Sequence, residues 1–158
     1  MHIKIANAFT EAAQAVLLAE VGLHVTRGEM ALLDQPFATD EVAILISLVG
    51  SVNGTVLYSL SEAVALNLVG RLMGEPAEKF TSLAQSGIAE LGNVITGQAS
   101  VKLSQAGHTV KISPPTLLMG KGTVLSTLDL PLLFVPLNSE AGGIGLHLAL
   151  REVEINRA

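Results

Sequence analysis

From Ser82 the chain runs to Gly107 without a proline or a helix-ending signal, and Ser82 with Gln85 three residues later reads as a capping box that opens a helix there. This is the longest element the sequence can form. At about 100° per residue, Ala84, Ile88, Leu91 and Ile95 gather on one side, while Ser86, Glu90, Asn93 and Gly97 gather on the other. A rod with one apolar stripe has to bury it against another layer, and the remaining segments must supply that layer.

They do so mostly as hairpins. Asn7 is placed to cap a first helix through Phe9, Ala12, Ala13, Val16 and Leu17 that Gly22 ends. A strand from about Val25 to Leu33 leads past Pro36 into Val42–Leu48 and then Gly54–Leu60, joined near Asn53-Gly54, a strong turn signal. Ser61 caps a helix through Leu66, Val69 and Leu72 that stops at Gly74, with Pro76 just beyond. After the long helix come a short strand from His108 to Ser113, the rigid Pro114-Pro115 step and an extended connection from Thr116 to Leu130. A closing hairpin pairs Leu132–Leu137 with Ile144–Leu150, where Ile144, Leu146, Leu148 and Leu150 alternate with Gly145, His147 and Ala149. The order predicts one α+β domain over residues 1–158, a largely antiparallel β-sheet packed against helices.

Several function classes are excluded on composition. Hydrophobic residues make up 49% of the chain and mean hydropathy is +0.54, yet no run of about 18 uncharged apolar residues exists to span a bilayer, so this content belongs to a core. The segment Met1-His2-Ile3-Lys4-Ile5 has none of the marks of a secretory signal, and a cytoplasmic location is expected. Zero cysteines rule out disulfides and thiolate chemistry. A net charge of -5, 3% aromatic residues and no tryptophan offer neither a phosphate-binding surface nor stacking platforms for nucleic acid. His2, His24, His108 and His147 are scattered without ligand spacing, and no metal is predicted. Gly120-Lys121-Gly122-Thr123 lacks the first glycine and the Ser/Thr of a phosphate loop, and Gly142-Gly143-Ile144-Gly145 lies inside a hairpin.

What remains is the polar face of the long helix. Glu90 and Asn93 stand three apart and point the same way, with Ser86 one turn earlier. Such a pair is by default a solvated surface. Three glycines make this helix unusual, because Gly87, Gly92 and Gly97 each cost about 1 kcal/mol relative to alanine in a helix interior. Gly97 lies on the polar face, where a missing side chain lets a partner's loop come down. Gly92 lies toward the apolar flank, where it lets a neighbouring helix pack closely within the core. Ser86 has no evident base and is a poor nucleophile candidate.

The stretch Ser86-Gly-Ile-Ala-Glu90-Leu-Gly-Asn93-Val-Ile-Thr-Gly-Gln-Ala99 resembles the signature helix of the CheX, CheC and FliY chemotaxis phosphatases. Asn7-Ala-Phe-Thr-Glu-Ala, Val52-Asn-Gly-Thr-Val and Ile112-Ser-Pro-Pro-Thr-Leu117 also resemble CheX segments, in matching order over about residues 5 to 150. One phosphatase helix is present, as in CheX; CheC proteins usually carry two. The resemblance implies hydrolysis of the aspartyl phosphate of a CheY-type response regulator without a covalent enzyme intermediate. Glu90 is then expected to bind a lysine of the regulator and Asn93 to orient the attacking water, with the Ser86 hydroxyl either supporting Glu90 or contacting the partner's edge, beside the docking surface already read at Gly97. It implies no cofactor of the chain's own, magnesium being the regulator's, and a homodimer sharing β-structure, for which Thr123–Pro131 is the candidate segment. The alternatives are a CheX-like module that binds a response regulator or a flagellar or signalling complex without catalysis, and a small-ligand domain, which the sequence does not favour.

Overall fold

The structure, a computed structural model, describes residues 3–153. Helix α1 (Ile3–Val21) is followed by strands β1 (Thr26–Arg27), β2 (Ala31–Leu33), β3 (Phe37–Ala38), β4 (Val42–Gly50) and β5 (Val52–Leu60). Helices α2 (Glu62–Met73) and α3 (Ser82–Gln105) come next. Strands β6 (Val110–Ile112), β7 (Thr116–Met119), β8 (Val124–Leu125), β9 (Leu132–Ser139) and β10 (Gly142–Glu152) complete the fold. The main sheet is antiparallel, ordered β1-β9-β10-β5-β4-β6, with β2 also on β9 and β7 also on β4. This is the predicted α+β architecture.

The three helices cover one face of the sheet. Phe9, Leu17, Ile46, Tyr58, Leu68, Ile88, Leu103, Leu146 and Leu148 are buried between the layers. The alternation in Ile144–Leu150 therefore does what its period dictates, turning four aliphatic side chains inward. The opposite side of that strand is covered as well. Leu57, Leu132, His147 and Ala149 are buried beneath a two-stranded ribbon of β3 and β8 that folds across the outer face of the sheet.

Local expectations shift in four places. Helix α1 begins at Ile3, so Asn7 lies inside it and caps nothing; Ile5, one turn before Phe9, is buried and extends the apolar stripe toward the N-terminus. The cap of α3 is Thr81, whose hydroxyl accepts the Ala84 N–H at 3.2 Å, while Gln85 reaches back to the Phe80 carbonyl at 3.1 Å. Ser82 is thus the first helical residue, and the capping box is not formed. The first hairpin reverses at Gly50-Ser51, and Asn53 accepts the Gly50 N–H at 2.7 Å. Gly54 lies within β5, paired with Leu48 and Leu150, where a Cβ would stand 2.0 Å from the Ala149 carbonyl oxygen. Finally, the strand expected from Val25 to Leu33 is split. Gly28 donates to the Pro136 carbonyl at 2.8 Å, but proline has no N–H to return, and pairing lapses between β1 and β2.

Ser61 and Gly74 bound α2 as the sequence indicates: the Ser61 hydroxyl accepts the Val64 N–H, and Gly74 takes a left-handed φ of 74°. Across the α-layer, Lys102 of α3 and Glu11 of α1 form an ion pair at 3.5 Å. The described residues include no helix long and apolar enough to cross a membrane.

Candidate functional site

Helix α3 runs for 24 residues with Ala84, Ile88, Leu91, Gly92, Ile95, Thr96, Ala99 and Leu103 buried. Its outer side is sparsely clothed. Ser86 and Glu90 are exposed, and Asn93, Gly87 and Gly97 are partly exposed. A Cβ placed on Gly87 or Gly97 would meet nothing within 4 Å, so both glycines open the surface instead of filling a packed contact. Glu90 is the single acidic residue on the helix.

The structure thus brings Ser86, Glu90, Asn93 and Gly97 onto one accessible face. Their i, i+3 spacing sets the Cβ atoms of Glu90 and Asn93 about 5–6 Å apart. Among the described residues, neither side chain makes a hydrogen bond or an ion pair. A carboxylate that only accepts and a carboxamide that both donates and accepts are held side by side with their capacity unspent. No group of three or more His, Asp or Glu suited to a metal occurs among the described residues.

Beneath this face the helix is pinned to the sheet. A Cβ on Gly92 would lie 2.9 Å from Cγ2 of Ile44, so the glycine lets α3 approach β4 more closely than any other residue would. Four residues on, Thr96 is wholly buried; its hydroxyl donates to the Gly92 carbonyl at 2.8 Å and lies 2.8 Å from the Tyr58 hydroxyl. Burial raises the Tyr58 pKa far above the ordinary phenol range, outweighing the opposite effect of the Thr96 hydrogen bond, so this hydroxyl keeps its proton. Sequence reasoning singled out Gly92 as a close-packing glycine, but what packs on it is the strand residue Ile44 and not a helix, and Tyr58 and Thr96 were missed. The available signal was the chain's one tyrosine, standing among Val56, Leu57 and Leu60 with a hydroxyl that would need a partner if buried.

Solved structures show what class of fold this is. The chain superposes on a CheC-like superfamily protein from Shewanella sp. PV-4 with a TM-score of 0.87, at 23% identity, covering 96% of this chain and 99% of that one. It is similar, with a TM-score of 0.79 and 24% identity over 93% and 97% of the two chains, to a chain in the crystal structure of a CheX–CheY–BeF3–Mg2+ complex from Borrelia burgdorferi. The fold is that of the CheC-like proteins. In sequence, the chain is 29% identical over 122 residues to the CheY-P phosphatase CheX of Thermotoga maritima, covering 77% of this chain and 79% of the relative. The family model described as chemotaxis phosphatase CheX matches residues 42–138, a span that contains Glu90 and Asn93. The protein belongs to the CheX family.

Proposed function

We propose that the protein hydrolyses the aspartyl phosphate of a CheY-type response regulator, with α3 entering the regulator's active site as the working element. The observation that carries this reading is the Glu90–Asn93 pair, the first exposed and the second partly so, with neither side chain bonded, on a long helix of a CheX-family chain. The CheY-P phosphatase activity named for the Thermotoga maritima relative and the CheX–CheY complex known from Borrelia burgdorferi support the choice of substrate.

The chemistry asks for little more than such a pair. A phosphoryl transfer with a loose transition state depends on positioning and electrostatic stabilisation more than on a strong base. Asn93 holds a water in line with phosphorus, accepting from it and donating to a phosphoryl oxygen. The water oxygen bonds to phosphorus as the bond to the aspartyl oxygen breaks, yielding inorganic phosphate and the regulator's free carboxylate, with the water's proton passing to phosphate or solvent. Glu90 pairs with a lysine of the regulator through a charge-assisted hydrogen bond and fixes the helix in register. Magnesium belongs to the regulator's own site. Ser86 and Gly97 are contact points, the glycine leaving room for the regulator's backbone.

We also propose a homodimer. Val124 and Leu128, in the segment from Thr123 to Pro131, are 64% and 82% exposed, apolar side chains that association would remove from water.

The activity is tested by mixing the protein with a phosphorylated CheY-type regulator and magnesium and following loss of the phosphoryl group. Accelerated decay is expected. Binding with unchanged decay across candidate regulators would reduce the protein to a non-catalytic module.

A further inference from the structure

Asn93 sits in a helical turn that is held at both ends, at Gly92 and at Thr96. The two clamps have one origin. Ile44 of β4 and Tyr58 of β5 are directly opposite each other in the antiparallel ladder, so the side chain that presses on Gly92 and the hydroxyl that meets Thr96 come from one cross-strand pair. The direction of the hydrogen bonds follows from counting protons. Threonine has one hydroxyl proton, and Thr96 spends it on the Gly92 carbonyl. The Tyr58 proton must therefore go to Thr96, giving a chain from Tyr58 through Thr96 to the Gly92 carbonyl, buried throughout and mutually polarising. A threonine that bonds back to the carbonyl four residues earlier also tends to bend its helix locally, so the chain fixes the shape of the turn as well as its height above the sheet.

A solvated helix face would have no use for such exactness. A residue that orients a water does, because a displacement of about 1 Å can cost about a hundredfold in rate. Resting on the phosphatase reading given above, we propose that Tyr58 is a positioning residue for the reaction, setting Asn93 against the substrate through Thr96 and the Gly92 carbonyl. Glu90 lies outside the clamped turn, so docking is left largely untouched by the anchor.

The test uses the full chain, a phosphorylated CheY-type regulator and magnesium. Tyr58→Phe removes only the hydroxyl, and Thr96→Val removes the link while keeping the shape; circular dichroism and thermal melts establish that each is folded at the assay temperature. Each should lower kcat by about tenfold with KM changed less than about twofold. The double variant should be no slower than the slower single one, because both break the same chain. Thr96→Ser, which keeps the hydroxyl, should retain most of the wild-type kcat. A kcat within about twofold of wild type in folded Tyr58→Phe and Thr96→Val would overturn the proposal, as would KM rising in step with the loss of kcat. Should the wild type itself accelerate no decay, the phosphatase reading falls, and amide hydrogen exchange still decides on the anchor. Faster exchange over residues 93–97 in Tyr58→Phe, with α1 unchanged, supports it; identical exchange overturns it.

Discussion

Asn93 and Glu90 are neighbours with separable duties, and truncation should separate them. Asn93→Ala removes the group that holds the water and is expected to abolish measurable hydrolysis while leaving the complex mostly intact. Glu90→Ala should weaken complex formation and hydrolysis together; full activity in Asn93→Ala would refute the water-orienting role. Both side chains are exposed or partly so and bond to nothing, so folding stability should be within about 0.5 kcal/mol of wild type. His147 is the opposite kind of residue. It is buried with no partner for Nδ1, stacked on Phe37 at 4.9 Å and tilted against Phe134 at 5.0 Å. Burial lowers its pKa, against the pull of the Gly145 and Leu57 backbone, so the folded state takes up a proton less readily than the unfolded chain. Stability from the neutral ring is complete above the unfolded value near pH 6.5 and is lost as pH falls below it toward the lower folded value. Urea denaturation at pH 7.5 and 5.5 should show this loss in wild type and a smaller one in His147→Leu; equal acid sensitivity would remove His147 from the account.

At the scale of the element, the glycines of α3 have different jobs that spacing alone assigned only in outline. Gly92 is pressed by Ile44, whereas nothing stands near a Cβ on Gly97. Gly97→Ala should therefore stabilise the protein by about 0.5–1 kcal/mol through helix propensity, raising Tm by a few degrees, and should weaken regulator binding by filling the bare patch. Gly92→Ala gains the same propensity but forces a methyl against a branched side chain, at about 1–3 kcal/mol, and should lower Tm. A Gly97→Ala variant that bound the regulator as well as wild type would deny the patch its docking role. The sidedness of α3 was legible because a 3.6-residue period is written in the local sequence. Its cap was misplaced by one residue because Thr81 and Ser82 are chemically equivalent candidates, and the choice falls to the fold around Phe80.

For the whole molecule, the exposed ribbon is the feature to test. Val124–Leu125 pairs with Phe37–Ala38 of the same chain, and Gln35 holds the following segment through its contacts with Thr127 and Leu130. One edge of the candidate dimer segment is thus already occupied, leaving Val124 and Leu128 outward-facing. Light scattering should give twice the 16.4 kDa of one chain, and Leu128→Glu should shift the mass toward a monomer. A monomeric wild type would end the dimer proposal.

Periodicity, caps and turn residues by themselves determined the α+β class, the hairpins, the two ends of α2 and the polar face that carries Ser86, Glu90, Asn93 and Gly97, because these follow from neighbours a few residues apart. Where Asn7 and Asn53-Gly54 fell was decided by contacts the local pattern does not encode, a buried Ile5 in one case and pairing on both sides of Gly54 in the other. Tertiary structure alone set Tyr58 beneath Thr96 and Ile44 against Gly92, joining residues 38 apart in the chain for the first pair. Such juxtapositions depend on which strands pair and in what register, and that is chosen by burial of the whole core at once.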